Sequence, residues 1–269
     1  MDQRPIGVFD SGLGGLTAVK QLHKALPNED IIYLGDTGRV PYGPRSKETI
    51  IKYSKQAAAF LQERGVKAIV VACGTASSTA IDALEDSLTL PVFGVVGAAA
   101  AAAVNATKNR RVGVIATEAT VRSGAYDRLI KQIEENVEVF GAQCPLFVPL
   151  VENGRTKLGD IVIETVAEEY LAPLRARDID TLILGCTHYP LLYEVIAKTI
   201  GAVVTLIDSG AEGALLTARV LRERGLLSEA AGTGRQQYFV TDSTDGFSKL
   251  ASLFLGSDVR GDVTQGALG

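Results

Sequence analysis

The feature that most constrains this chain is an alternation of short apolar runs with longer helical stretches, kept up from end to end. The strand-like runs are Ile6–Phe9, Ile31–Leu34, Ala68–Ala72, Val92–Val96, Val112–Ile115, Val137–Phe140, Thr181–Leu184, Val203–Ile207 and Gln237–Val240. They are continuously apolar rather than alternating, as strands covered on both faces are. Helical patterns such as Ser46–Arg64, Lys157–Arg175 and Ala211–Arg224 lie between them. Strand and helix in alternation predict a parallel sheet and an α/β fold.

The runs also repeat. Ala68-Ile-Val-Val-Ala-Cys73 resembles Thr181-Leu-Ile-Leu-Gly-Cys186, 113 residues on, and the same offset relates Gly97 to Gly210. Upstream, Gly7-Val8 matches Gly113-Val114, and Ile31-Ile-Tyr-Leu-Gly35 matches Val137-Glu-Val-Phe-Gly141, both at an offset of 106. One length change between the second strand and the cysteine strand reconciles the two offsets. The length of 269 residues allows one large domain or two small ones. The repeat selects two similar α/β halves, each with a cysteine at the end of its third strand. The segment beyond Ile207, with a helix at Ala211–Arg224, a strand at Gln237–Thr241 and a helix at Thr244–Leu255, has no counterpart in the repeat. It is expected to return to the first half. That gives a discontinuous first domain, residues 1–97 plus 208–269, and a second domain, residues 98–207. Gly256 to Gly269 reads as a loosely held tail.

Several function classes drop out on composition. A formal net charge of −4 gives no basic footprint for nucleic acid and no polybasic face for a membrane surface. The longest apolar run, Leu90 to Val104, is broken by Pro91, Gly94 and Gly97 and is shorter than the ~18 residues of a spanning helix. Met1 to Pro5 leads into no signal-peptide core. Three cysteines are too few for a disulfide scaffold and read as thiols of a reducing compartment. A soluble, cytoplasmic protein is expected. With only His23 and His188, no histidine metal cluster is available, so no metal site is assigned.

Ligands of open parallel sheets bind beyond the carboxyl ends of the strands. Those ends carry Asp10-Ser11-Gly12, Asp36 to Gly43, Cys73-Gly74-Thr75, Thr117, Glu152-Asn153-Gly154 and Cys186-Thr187-His188. Two halves that face each other would set Cys73 and Cys186 on opposite walls of one cleft. A thiolate can act as a base, and bases on opposite faces of a carbon can invert a stereocentre without a cofactor. Two other readings of the pair stay open: small buried hydrophobes, or a transient disulfide if the Cα atoms come within ~7 Å. Asp10 and His188 are the acid–base helpers within reach of the thiols; alternatively Asp10 is a helix N-cap and His188 a structural histidine. Asp10-Ser-Gly-Leu-Gly-Gly-Leu-Thr17 fits G-x-G-x-x-G poorly and lacks the P-loop lysine, so it signals nucleotide only weakly. Ser11 and N–H groups at a helix start suit a carboxylate better, with Thr75, Thr117 and Thr187 adding hydroxyls.

Gly7-Val-Phe-Asp-Ser-Gly-Leu-Gly-Gly-Leu16, Val40-Pro-Tyr-Gly43, Ala72-Cys73 with Thr75-Ala76, Cys144-Pro-Leu-Phe-Val-Pro-Leu-Val-Glu152 and Gly185-Cys-Thr-His-Tyr-Pro190 together resemble the glutamate racemase family over nearly the whole chain. The resemblance implies two pseudo-symmetric parallel-sheet α/β domains with the active site in the cleft between them. It also implies cofactor-independent interconversion of L- and D-glutamate, a source of D-glutamate for peptidoglycan. Carried over, Cys73 and Cys186 are the catalytic acid–bases. Asp10 assists Cys73, and His188 with Glu152 assists Cys186. Ser11, Tyr42, Gly43, Thr75, Thr187 and Thr117 fall at substrate-contacting positions. The family often forms homodimers, though no feature here marks a dimer face. Cys144, in a family motif, is expected to be a buried packing thiol.

One position departs from the family. The asparagine that usually follows the first cysteine is Gly74 here. Glycine is expected to leave only its backbone N–H to the substrate, with room beside it for water or a bulkier ligand. Weaker binding or slower turnover than in a Gly74→Asn version is the corresponding expectation, since a hydrogen bond to a charged group is worth ~1.5–3 kcal/mol. The departure also keeps open a related racemase or decarboxylase acting on another small acidic substrate, or a cleft that binds without turning over.

Overall fold

The computed structural model describes residues 2–259 and 261–268. The first part of the chain runs β1 (Ile6–Asp10), α1 (Leu16–Ala25), β2 (Ile31–Gly35), α2 (Lys47–Gln62), β3 (Ala68–Val71), α3 (Gly74–Glu85), β4 (Val92–Gly94) and α4 (Val95–Ala106). The second part runs β5 (Arg111–Ala116), α5 (Glu118–Arg122), α6 (Ala125–Ile133), β6 (Glu138–Gln143), α7 (Phe147–Glu152), α8 (Ile161–Arg175), β7 (Thr181–Leu184), α9 (Tyr193–Ile200), β8 (Thr205–Asp208) and α10 (Ser209–Glu223). The chain closes with β9 (Gln236–Val240), α11 (Phe247–Leu255) and β10 (Asp262–Gln265).

Two parallel sheets result. One has the order β10-β9-β2-β1-β3-β4 and the other β6-β5-β7-β8. Their first four strands follow one plan, second-first-third-fourth, so the repeat in sequence is a repeat in topology. The register agrees at the inner strands: Ile6 pairs with Ala68, and Val112 with Thr181. At the second strand it corrects the sequence match. Ile6 pairs with Ile31 and Val112 with Val139, so Ile31 corresponds to Val139 and not to Val137. The length change is therefore split between two loops. The reason lies in β6, an edge strand whose residues are half-exposed or exposed, so it lacks the apolar run that fixes a strand's ends. The inner strands β1, β3 and β7 are buried throughout, and there the apolar runs mark strands well.

Three other expectations shift. Residues 95 and 96 belong to α4, because β4 ends at Gly94, which caps the helix. Val203 is 88% exposed in the turn before β8. The tail from Gly256 is not loose. Asp262–Gln265 forms β10 along β9, and the Gly266 N–H donates to the Val240 carbonyl at 2.8 Å. Without β10, strand β9 would present an open sheet edge beside buried Tyr238 and Val240. Arg260 and Gly269 of that segment lie outside the described residues. Among the described residues, no helix is long and apolar enough to cross a membrane.

Within each sheet, chain order reverses at the first strand. The first and third strands therefore flank a switch point, where ligand clefts form in open α/β sheets. The loops after β1 and β3 face those after β5 and β7 across a single cleft of about 300 Å³.

Candidate active site

Cys73 lies two residues beyond the end of β3 and caps α3, its Sγ accepting from the Ala76 N–H at 3.4 Å. The helix start favours a thiolate there. The opposing effect is larger: Cys73 is only 5% exposed, and burial pushes its thiol up to about 12. The thiol donates to Ser11 Oγ at 3.4 Å. Asp10, last residue of β1, is buried behind this wall rather than lining it. It is not the N-cap of α1, whose cap is Gly15 with no side-chain bond. Instead the carboxylate bends back, with Oδ2 accepting from the Gly12 N–H at 2.9 Å. Oδ1 is buried and unpartnered among the described residues. Burial raises the Asp10 pKa, against the pull of the His188 charge and the Gly12 and Gly15 N–H groups. A carboxyl in that state can hold a proton next to the thiol.

Cys186 lies two residues beyond the end of β7 on the opposite wall, and His188 follows it in the turn. His188 Nδ1 lies 3.9 Å from Cys186 Sγ and 3.4 Å from Thr187 Oγ1, while Nε2 lies 3.1 Å from Glu152 Oε1. Burial disfavours the imidazolium, but the hydrogen bonds to Cys186 and Glu152 outweigh it and raise His188 to about 10. Glu152 is the last residue of α7, with its side chain 42% exposed at the cleft mouth. A carboxylate, an imidazole and a thiol thus stand in line.

Tyr42 and Gly43 bring the loop after β2 to the cleft. The Tyr42 ring is 1% exposed and its hydroxyl donates to Asp36 Oδ2 at 2.5 Å, so this loop offers its backbone to a ligand. Asp36 gathers the loop: its carboxylate also accepts from Arg39 Nε at 2.7 Å and from Thr241 Oγ1 at 2.8 Å. Thr75 reaches across to the second half, 2.9 Å from Thr117 Oγ1. On the other side Thr17 Oγ1 donates to the Thr187 carbonyl at 3.0 Å. The halves are therefore clasped twice, each time between a first-strand loop and a third-strand loop.

Gly74 corrects an expectation. It lines the cleft, but the direction a side chain would take is closed. A Cβ at residue 74 would fall 2.3 Å from the Gly185 carbonyl oxygen, which belongs to the facing half.

Every sequence-predicted residue reaches this site: Ser11, Tyr42, Gly43, Cys73, Gly74, Thr75, Thr117, Glu152, Cys186, Thr187 and His188 line the cleft, with Asp10 beneath. Two contributors were given no role in advance, and a third, Cys144, was expected only to pack. Asp36 stood in a strand-end stretch without an assigned role. Phe254 of α11 packs edge-on against the His188 ring, centroids 5.0 Å apart; its periodicity marks it as buried but names no partner. Cys144 is buried as expected, yet its residue also lines the cleft, beside apolar Val148 and Pro149. Burial first, then the nearby Cys186, pushes its thiol up. All three cysteines are free.

Residues 6–217 match the profile of a family described as Asp/Glu/Hydantoin racemase. The chain is 50% identical over 268 residues to the glutamate racemase of Geobacter metallireducens, covering 100% of this chain and 98% of that protein. It is similar to the crystal structure of glutamate racemase from Francisella tularensis subsp. tularensis SCHU S4 in complex with D-glutamate, at 41% identity and a TM-score of 0.92 over 100% and 99% of the two chains. It is also similar to that from Thermus thermophilus in complex with beta-chloro-D-alanine, at 44% identity and a TM-score of 0.89 over the same shares.

Proposed function

The chain belongs to the Asp/Glu/Hydantoin racemase family, and we propose that it is a glutamate racemase in which Cys73 and Cys186 act as acid and base on opposite faces of the substrate Cα. The observation that carries the reading is the placement of two free thiols on facing walls of one cleft. One thiolate takes the Cα proton, and the opposite thiol delivers its own proton to the other face. The two cysteines thereby exchange protonation states and no cofactor is consumed. His188, held as imidazolium by its neighbours, is the charge partner that a Cys186 thiolate needs. Asp10 serves Cys73 from behind, where its unpartnered Oδ1 can give or take a proton. Ser11, Thr75, Thr117, Thr187 and the N–H groups of the Tyr42–Gly43 loop hold the carboxylates.

The pairing of β9 with β2 supports taking residues 1–97 with 208–269 as one lobe and 98–207 as the other. Supply of D-glutamate for peptidoglycan in a reducing cytoplasm accords with this chemistry and with three free thiols. The test is incubation with L-glutamate in D₂O. D-glutamate carrying deuterium at Cα is expected; absence of both inversion and exchange would overturn the reading.

A further inference from the structure

Gly74 and Gly185 meet backbone to backbone across the cleft, each next to one of the two thiols. A Cβ on residue 74 would lie 2.3 Å from the Gly185 oxygen and 3.4 Å from its carbonyl carbon. Gly185 is tethered and closely packed on its own side. Its N–H donates to the Ile115 carbonyl at 2.8 Å, and a Cβ of its own would touch Ile115 O at 2.9 Å, Ala116 Cβ at 3.1 Å and the Tyr126 ring at 3.2 Å. Gly74 is equally fixed, as the first residue of α3 directly after its N-cap Cys73. A second close approach, here to side chains, lies at the other loop pair, where a Cβ on Gly14 would fall 2.3 Å from Thr187 Oγ1 and 2.6 Å from the His188 ring.

We propose that Gly74 is the positioning residue that sets the closed width of the cleft: its missing Cβ lets the two thiol-bearing strand ends approach until backbone meets backbone. The inference rests on the two-thiol reading above. Ordinary contact for that Cβ needs about 1 Å more separation. With the walls of each half rigid, the separation comes from the cleft. Two-base inversion needs both sulfurs at Cα together, whereas exchange by one thiol, with return to the same face, needs only one. Displacement by ~1 Å can cost ~10²-fold in rate, and the cost falls on inversion first.

The experiment compares wild type, Gly74→Ala and Gly74→Asn in D₂O, following inverted product and deuterium in the uninverted substrate separately, with thermal unfolding as the check on folding. Both variants are expected to lose inversion by at least tenfold, while deuterium exchange with retention falls less, so the exchange-to-inversion ratio rises. Rescue comes from loosening the backing. In Gly74→Ala combined with Tyr126→Leu, Gly185 can yield, and inversion is expected to exceed that of Gly74→Ala alone. If Gly74→Ala does not accumulate as folded protein, the double variant carries the test through the same recovery. Inversion unchanged or raised by either Gly74 variant, an unchanged ratio, or losses that simply add in the double variant would each overturn the proposal. A wild type active in racemisation alongside such results leaves the two-thiol reading standing, whereas an inactive wild type removes that reading instead.

Discussion

His188 Nε2 lies 3.1 Å from Glu152 Oε1, and the same ring turns Nδ1 toward Cys186 Sγ at 3.9 Å. The second wall thus has a charge relay, whereas among the described residues Cys73 has a hydroxyl partner and a buried carboxyl behind it, and no cation bonded to it. The thiols are equivalent by repeat but not by environment.

Glu152→Gln tests the relay. The glutamine keeps an acceptor near Nε2 but removes the charge. His188 is raised to about 10, with Glu152 among the causes, so its imidazolium survives into alkaline solution. Without the carboxylate the raised value falls toward the ordinary ~6.5, and the imidazolium is lost at lower pH. The alkaline limb of kcat/KM is therefore expected to move to lower pH. Solvent screens a side chain that is 42% exposed, which keeps the shift to about one pH unit. A full pH–rate profile decides, and an unmoved alkaline limb would remove Glu152 from the relay.

Cys73→Ser and Cys186→Ser are expected to abolish inversion but to leave complementary half-reactions. The thiol that remains can abstract from one enantiomer only, returning solvent deuterium to the same face. Each variant should label one enantiomer of glutamate and not the other, and the two variants should differ in which one they label. Proton NMR at Cα in D₂O reads this directly. Labelling of the same enantiomer by both variants would show that the thiols do not act on opposite faces.

The legibility of this molecule in its sequence follows burial. Cys73 and Cys186 stand out because β3 and β7, fully buried, print as uninterrupted apolar runs that stop at polar residues. The edge strand β6 and the last strand β10 bury too little to print that way, so one was misplaced by two residues and the other read as tail. Distance across the cleft is harder still. The fit between Gly74 and the Gly185 carbonyl depends on how two halves close, which no local pattern encodes, and the contact of Phe254 with His188 joins residues far apart in the chain.

Asp36→Asn is expected to raise KM more than it lowers kcat. Its carboxylate accepts from Arg39, Tyr42 and Thr241 and so holds the Tyr42–Gly43 loop against the cleft, without touching a thiol. Loss of one charge-assisted hydrogen bond costs ~1.5–3 kcal/mol, which sets a KM increase of roughly 10- to 100-fold. Tyr42→Phe, which leaves the other two bonds in place, should show a smaller rise in the same direction. Steady-state kinetics on both separates loop positioning from general damage, since a loss confined to kcat would assign Asp36 elsewhere.

Lys67 and Glu29 meet at the opposite end of the first sheet from the cleft. Lys67, which precedes β3, is 0% exposed, and its Nζ lies 2.5 Å from Glu29 Oε2. The ammonium also donates to the Asp2 carbonyl at 2.7 Å, and Glu29 Oε1 accepts from the Ser228 N–H at 2.7 Å. The pair therefore ties the amino terminus and the segment before β9 to the base of the sheet. Removing one partner strands the other charge in the interior, at a cost of ~3–5 kcal/mol, whereas replacing both with apolar residues is often neutral or stabilising. Glu29→Leu should accordingly lower the thermal midpoint far more than Glu29→Leu with Lys67→Met. Below the unfolding transition, both should racemise like wild type, because Asp10 and Cys73 lie at the other end of the strands. A single variant as stable as the double would show that the buried pair contributes no such constraint.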